Sequence, residues 1–162
     1  MRRLIKFIRL PWSTQVTLIE VGALLVAIRL GLAMLPYDRL AAIIERHAVP
    51  VSNKRRRRLA YAPSVTWAAS GLAGMLIGNR PCLTQALVVT LLLKRAGREP
   101  DLKIGVSKDR ADLLTAHAWV EMDGRVIIGG RHAHARYAEL APIRPPEGIA
   151  VRSMASHAEA PG

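Results

Sequence analysis

Apolar residues run almost unbroken from position 16 to position 35, and Glu20 and Arg29 are the only charges among them. Nine positions apart, those two charges fall on opposite sides of a helix. Such a helix cannot offer lipid an uncharged surface all round. The run therefore reads as a buried or interfacial helix in preference to a membrane span or a cleaved signal, and no small-residue cleavage site accompanies it. Pro36 closes it. A second helix is predicted from Tyr37 to about His47, with Leu40, Ile43 and Ile44 recurring on one apolar face. A third covers residues 60–78; it is rich in Ala, Leu and Val, carries Trp67, and is weakened toward its end by Gly71, Gly74 and Gly78.

The fourth helix differs in kind. Pro81 fits its first position, N1, with Asn79 or Arg80 near the cap. From Cys82 to Arg95 it is apolar on most faces, as a central, buried helix is. Lys94 and Arg95 suit the negative end of its dipole, and Gly97 suits the C-cap.

Beyond Gly97 the period changes from helix to strand. Residues 101–108 alternate apolar and polar, residues 109–115 are a polar connection, and residues 117–128 form two strand-like runs about Asp123-Gly124. Asp-Gly between such runs is a strong hairpin signal of type I′. Residues 131–140 return to the sheet or form a short closing helix, and the proline-rich residues 143–162 read as a disordered tail. The expected architecture is α+β: a basic helical region at 1–60, then a core at 61–142 in which the Cys82 helix packs on three or four antiparallel strands.

Charge sharpens this division. The chain has 162 residues and a net charge of +12, of which residues 1–60 contribute +9 from twelve Lys/Arg against three Asp/Glu. The densest run is Lys54, Arg55, Arg56, Arg57 and Arg58. It suits an acidic protein surface or anionic lipid, and its plain reading is a solvated turn at a helix start. No base-stacking aromatics accompany it, so specific nucleic-acid recognition is not expected.

One cysteine in the whole chain excludes an internal disulfide and a multi-cysteine metal site. Cys82 is then either a small buried hydrophobe or a working thiol. Its place at a helix start favours the second, because the thiolate is the nucleophilic form of cysteine and free N–H groups favour it. His117, on a neighbouring strand, could take up the thiol proton and return it to a leaving amine; its plain reading is a residue at a strand edge. The Cys82 N–H and a second donor, Gln85 or Asn79, could hold an oxyanion. His132 and His134 alternate as weak metal ligands but lack a third partner, and His47 and His157 read as surface residues. No cofactor is expected.

These residues, in this order, resemble a known family. Arg80-Pro81-Cys82-Leu83, the helix down to Gly97, the strand Leu102-Lys103-Ile104-Gly105-Val106 and Ala116-His117-Ala118-Trp119-Val120-Glu121 before Asp123-Gly124 are similar to the transglutaminase-like cysteine proteases. Within that group the chain resembles the free-standing leader peptidases of lasso-peptide biosynthesis. The resemblance implies a cytoplasmic cysteine endopeptidase, with Cys82 as nucleophile and His117 as base, that frees a precursor peptide from its leader. It also implies two partners, a small leader-recognition protein and an asparagine-synthetase-like cyclase. The helix at 16–35 adds the expectation of membrane-surface association, and the alternative functions are a non-catalytic scaffold of the same fold or a membrane-attached accessory protein.

The family pattern carries an aspartate after the hairpin to orient the histidine, and here that strand ends in Gly129-Gly130. Counting from a two-residue turn places Gly130 opposite His117 and Gly129 opposite Ala118. The orienting group is then a backbone carbonyl, a water, or a carboxylate such as Asp112 or Asp109.

Overall fold

The computed structural model describes residues 11–51, 62–78, 81–108, 114–130 and 133–140. Four helices, α1 (Trp12–Met34), α2 (Tyr37–His47), α3 (Ala62–Leu76) and α4 (Cys82–Arg95), precede β1 (Asp101–Lys108), β2 (Leu114–Met122) and β3 (Arg125–Ile128). A single-turn helix α5 (Ala133–Arg136) and a short strand β4 (Ala138–Glu139) close the chain. The closing segment thus forms both of its expected alternatives, a helical turn and a strand.

The sheet is antiparallel with strand order β3-β2-β1-β4, so β2 lies inside it. The β1 ladder runs along β2 from Leu114 to Glu121, whereas the β3 ladder covers only Val120–Met122, so on that side His117 lies beyond the last paired position. The Asp123-Gly124 turn takes φ values of +52° and +72°, the left-handed pair that a type I′ hairpin requires. The register expected from that turn fails within two pairs. Met122 faces Arg125 and Glu121 faces Val126, but Val120 faces Ile128, with Ile127 left over as a bulge. The residues after β3 therefore slide by one position relative to a regular ladder.

Helix α4 is the centre of the molecule. Nine of its residues, including Leu87, Val88, Val89, Leu91, Leu92 and Leu93, are buried. It packs against α1, α2 and α3 and against β1, β2 and β3. Its C-terminus is a Schellman cap, as Gly97 foretold: the Gly97 N–H donates to Lys94 O at 2.8 Å and the Arg98 N–H to Leu93 O at 3.0 Å, with Gly97 at φ +72°. The same end ties down the first two helices. Lys94 Nζ meets Glu45 at 2.6 Å, Arg95 Nε donates to His47 O at 2.9 Å, and the Arg95 guanidinium lies 3.9 Å from Glu20.

Helix α1 turns Thr17, Val21, Leu25 and Ile28 into this core. Gly22 faces α3, where a Cβ would make ordinary contact with Leu72 and Leu76 at 3.7 and 3.8 Å. Gly31 lets α2 come close, since a Cβ there would lie 2.7 Å from the end of the Leu40 side chain. On α2, Leu40 and Ile44 are buried as the periodicity predicts, whereas Ile43 stays 42% exposed at the edge of that face.

Leu92 is fully buried in this helix. Leu92→Ala should cost about 2–5 kcal/mol in a urea titration, because both transfer energy and packing are lost. Ile19→Ala, at a position 62% exposed on α1, should shift stability by no more than about 0.5 kcal/mol.

Candidate functional site

Cys82 is the first residue of α4 and is half-buried. Pro81 is the N-cap, one position earlier in the helix scheme than the N1 place its ring chemistry suggested. The first intrahelical bond runs from the Gln85 N–H to Pro81 O at 2.8 Å, and no side chain caps the helix. The N–H groups of Cys82, Leu83 and Thr84 are thus left without intrahelical acceptors. Gln85 lies one turn along from Cys82, and residues three apart share a helix face. Gln85 therefore stays on the Cys82 side of α4. Asn79, the other oxyanion candidate, lies outside the described residues.

His117 stands in the middle of β2. The strand's alternation gives its two faces different partners. Ala118 and Val120 join the helical core, while His117 and Trp119 point to the other face. There the His117 ring stacks on Tyr137, at 4.9 Å between centroids and 25° between planes. Trp119 is fully buried on the same side, 6.4 Å from His117 and 6.5 Å from Tyr137. Its indole N–H donates to Glu121 Oε1 at 2.9 Å. Lys103 faces this cluster with Asp101, Glu121 and Glu139 around it, and its pKa is raised, foremost by the hydrogen bond to Glu139 at 3.0 Å. The His-x-Trp-x-Glu pattern is therefore one supported surface: Glu121 fixes Trp119, and Trp119 and Tyr137 flank the imidazole.

Among the described residues the hydrogen-bond partner of the His117 ring is a backbone carbonyl. His117 Nε2 is 2.5 Å from Gly129 O. A carbonyl can only accept, so Nε2 carries the hydrogen, and in the neutral ring Nδ1 keeps the lone pair that a base needs. The bulge after Val120 makes this contact by carrying Gly129 one place along, over Trp119 instead of Ala118. Only glycine fits there. Its φ is +100°, and a Cβ would lie 2.7 Å from Trp119 Cα and 2.8 Å from Ala118 O.

Other expected residues are not brought together. No hydrogen bond joins Cys82 Sγ to His117 among the described residues, although α4 packs directly on β2. Asp109, Asp112, His132, His157 and the basic run Lys54, Arg55, Arg56, Arg57 and Arg58 lie outside the described residues, as does the expected tail. His47 is exposed, with Nδ1 2.8 Å from Ile43 O. Among the described residues no cluster of three or more His, Cys, Asp or Glu could hold a metal ion. Sequence reasoning missed Tyr137 and the supporting roles of Trp119 and Glu121. The period-two spacing of His117, Trp119 and Glu121 carried a signal for the last two, and nothing local marked Tyr137.

If the carbonyl of Gly129 positions the imidazole, Gly129→Ala should displace it and lower both stability and any His117-dependent activity. Gly129→Asp should not act as a restored triad, because its Cβ meets the same obstruction. Long-range ¹⁵N–¹H correlation spectra should show neutral His117 as the Nε2–H tautomer in the unmodified protein.

Comparison with known proteins agrees with this architecture. A family model described as the transglutaminase-like superfamily matches residues 23–142. Comparison with curated proteins and with solved structures returned no match. A helical layer whose central helix starts at a cysteine, packed on an antiparallel sheet with a histidine on β2, together with a match across most of the chain, establishes that this protein belongs to the transglutaminase-like superfamily, with its cysteine-protease-like α+β fold.

Proposed function

We propose that the protein is a cysteine endopeptidase that removes the leader from a ribosomally made lasso-peptide precursor. The observations that support the catalytic part are the uncapped start of α4 at Cys82 and the Nε2-anchored His117 on a strand against which α4 packs, with the imidazole on the sheet face turned from the helical core. Sγ of Cys82 attacks the scissile carbonyl carbon while Nδ1 of His117 takes the thiol proton. The tetrahedral oxyanion is met by the Cys82 N–H and by Gln85. Collapse breaks the C–N bond, His117 returns the proton to the leaving amine, and a thioester remains. Water, deprotonated by His117, then hydrolyses it. With the imidazole on the sheet face turned from the helical core, transfer of the thiol proton requires the first turn of α4 to bring Sγ round to Nδ1 when substrate binds.

The choice of substrate rests on the resemblance of the Arg80-Pro81-Cys82-Leu83 and His117 to Glu121 motifs to lasso leader peptidases. On this reading a separate small protein presents the leader and an asparagine-synthetase-like cyclase takes the product. The basic run at Lys54, Arg55, Arg56, Arg57 and Arg58 is a docking surface for an acidic face of one of these partners.

A second reading, a non-catalytic scaffold that positions the precursor, is favoured by the glycine at the aspartate position and by the unbonded Cys82–His117 pair. Two measurements separate them. Mass spectrometry of a lasso precursor incubated with the protein and its leader-recognition partner should show a single leader cut, lost in Cys82→Ala with the fold retained; an active Cys82→Ala protein would sink the peptidase reading. Iodoacetamide should label Cys82 faster than a free thiol at neutral pH, and His117→Ala should slow labelling about tenfold or more if the imidazole supports the thiolate. Labelling at the free-thiol rate in both proteins favours the scaffold.

A further inference from the structure

The helix α1 has two apolar faces, and the core uses only one. Thr17, Val21, Leu25 and Ile28, spaced by four, four and three, are 0–4% exposed and pack inward. On the opposite side Trp12, Ile19, Val26, Leu30 and Met34, spaced by seven, seven, four and four, are 79%, 62%, 44%, 56% and 80% exposed. Those steps keep to one side of a helix. The result is an apolar stripe roughly 33 Å long at 1.5 Å per residue. A stripe of large apolar side chains on this scale marks a surface that is covered in use.

We propose that this stripe docks on an anionic lipid bilayer, with α1 lying flat in the headgroup boundary and not crossing it. Three observations select lipid as the occupant. From Ile19 to Met34 the exposed residues of α1 offer one hydrogen-bonding side chain, Arg29, whereas a protein interface needs polar contacts at its rim. Arg29 can reach headgroup phosphates from the edge of the stripe, as long basic side chains do. The charge is also of the right sign: Arg2, Arg3, Lys6 and Arg9 immediately precede Trp12, with no Asp or Glu before Glu20. Glu20, the only acid of α1, lies against Arg95 with its side chain 12% exposed, so it is turned away from the stripe. Trp12 stands at the end nearest the basic residues, where an amphipathic ring suits the interface.

A 21-residue window of α1, Thr14–Met34, is long and apolar enough to cross a membrane. Crossing would expose to lipid the side that holds Val21 and Leu25 against the core. Lying flat keeps both faces covered, one by protein and one by acyl chains.

The test is co-sedimentation of the full chain with vesicles. Mixed phosphatidylglycerol–phosphatidylcholine vesicles should pellet the protein, and pure phosphatidylcholine vesicles should do so much less. Raised salt should weaken the attachment. Ile19→Glu with Leu30→Glu, both at exposed positions, should reduce partitioning by about tenfold or more while circular dichroism and urea midpoint stay unchanged. A carbonate wash should release membrane-bound protein. Equal binding by the doubly substituted chain, equal binding to uncharged vesicles, resistance to carbonate, or a stable dimer broken by the same two substitutions would each overturn the proposal. None of these outcomes depends on peptidase activity.

Discussion

Burial of α4 on nearly every side is the constraint from which the rest follows. A helix that presents Leu, Val and Ala all round has no solvent face, so other elements must surround it. Three helices do so from one side and the sheet from the other. The close approach at Gly31 serves this enclosure, because it draws α2 in against α1. The three polar ties at Glu45, His47 and Glu20 all converge on Lys94 and Arg95. They are partly exposed, so each adds little energy beside the burial. What they add is angular definition at one end of the helix.

The second layer of organisation lies on the far face of the sheet. There the chain builds an aromatic enclosure for one imidazole from residues that the core does not use. The bulge is central to it: one extra residue in β3 converts an ordinary ladder position into a carbonyl aimed at Nε2. Main-chain geometry thus supplies the orientation that a carboxylate supplies elsewhere in such sites. Glycine at this point is a requirement of packing against Trp119.

Much of this was legible from the sequence, and the limits were physical. Helix α2, the body of α4 and its Gly97 cap, and the Asp-Gly hairpin all follow from local signals that the tertiary structure had no reason to override. The register beyond Val120 was not legible. Counting from a turn assumes a regular ladder, and a bulge depends on the fit of Ile127, Ile128 and the glycines against Trp119, which is not a local property. The backbone carbonyl was one of several orienting groups that the sequence allowed, and the bulge is what brings it to His117. Tyr137 was illegible for a similar reason. It reaches His117 through a four-residue helix and a two-residue strand, elements too short to leave a pattern.

The two ends of α4 are held very differently, and this has a mechanical consequence. The C-terminal turn is capped by its own backbone and clamped to two other helices, while the N-terminal turn has no side-chain cap and begins on a proline. The helix behaves as a beam fixed at one end. Backbone opening is easiest in the first turn and hardest near Leu92 and Leu93, where hydrogen-bonded amides are also fully buried. Small displacements at Cys82 can therefore be absorbed within that turn, without disturbing the clamp that holds α1 and α2 in place.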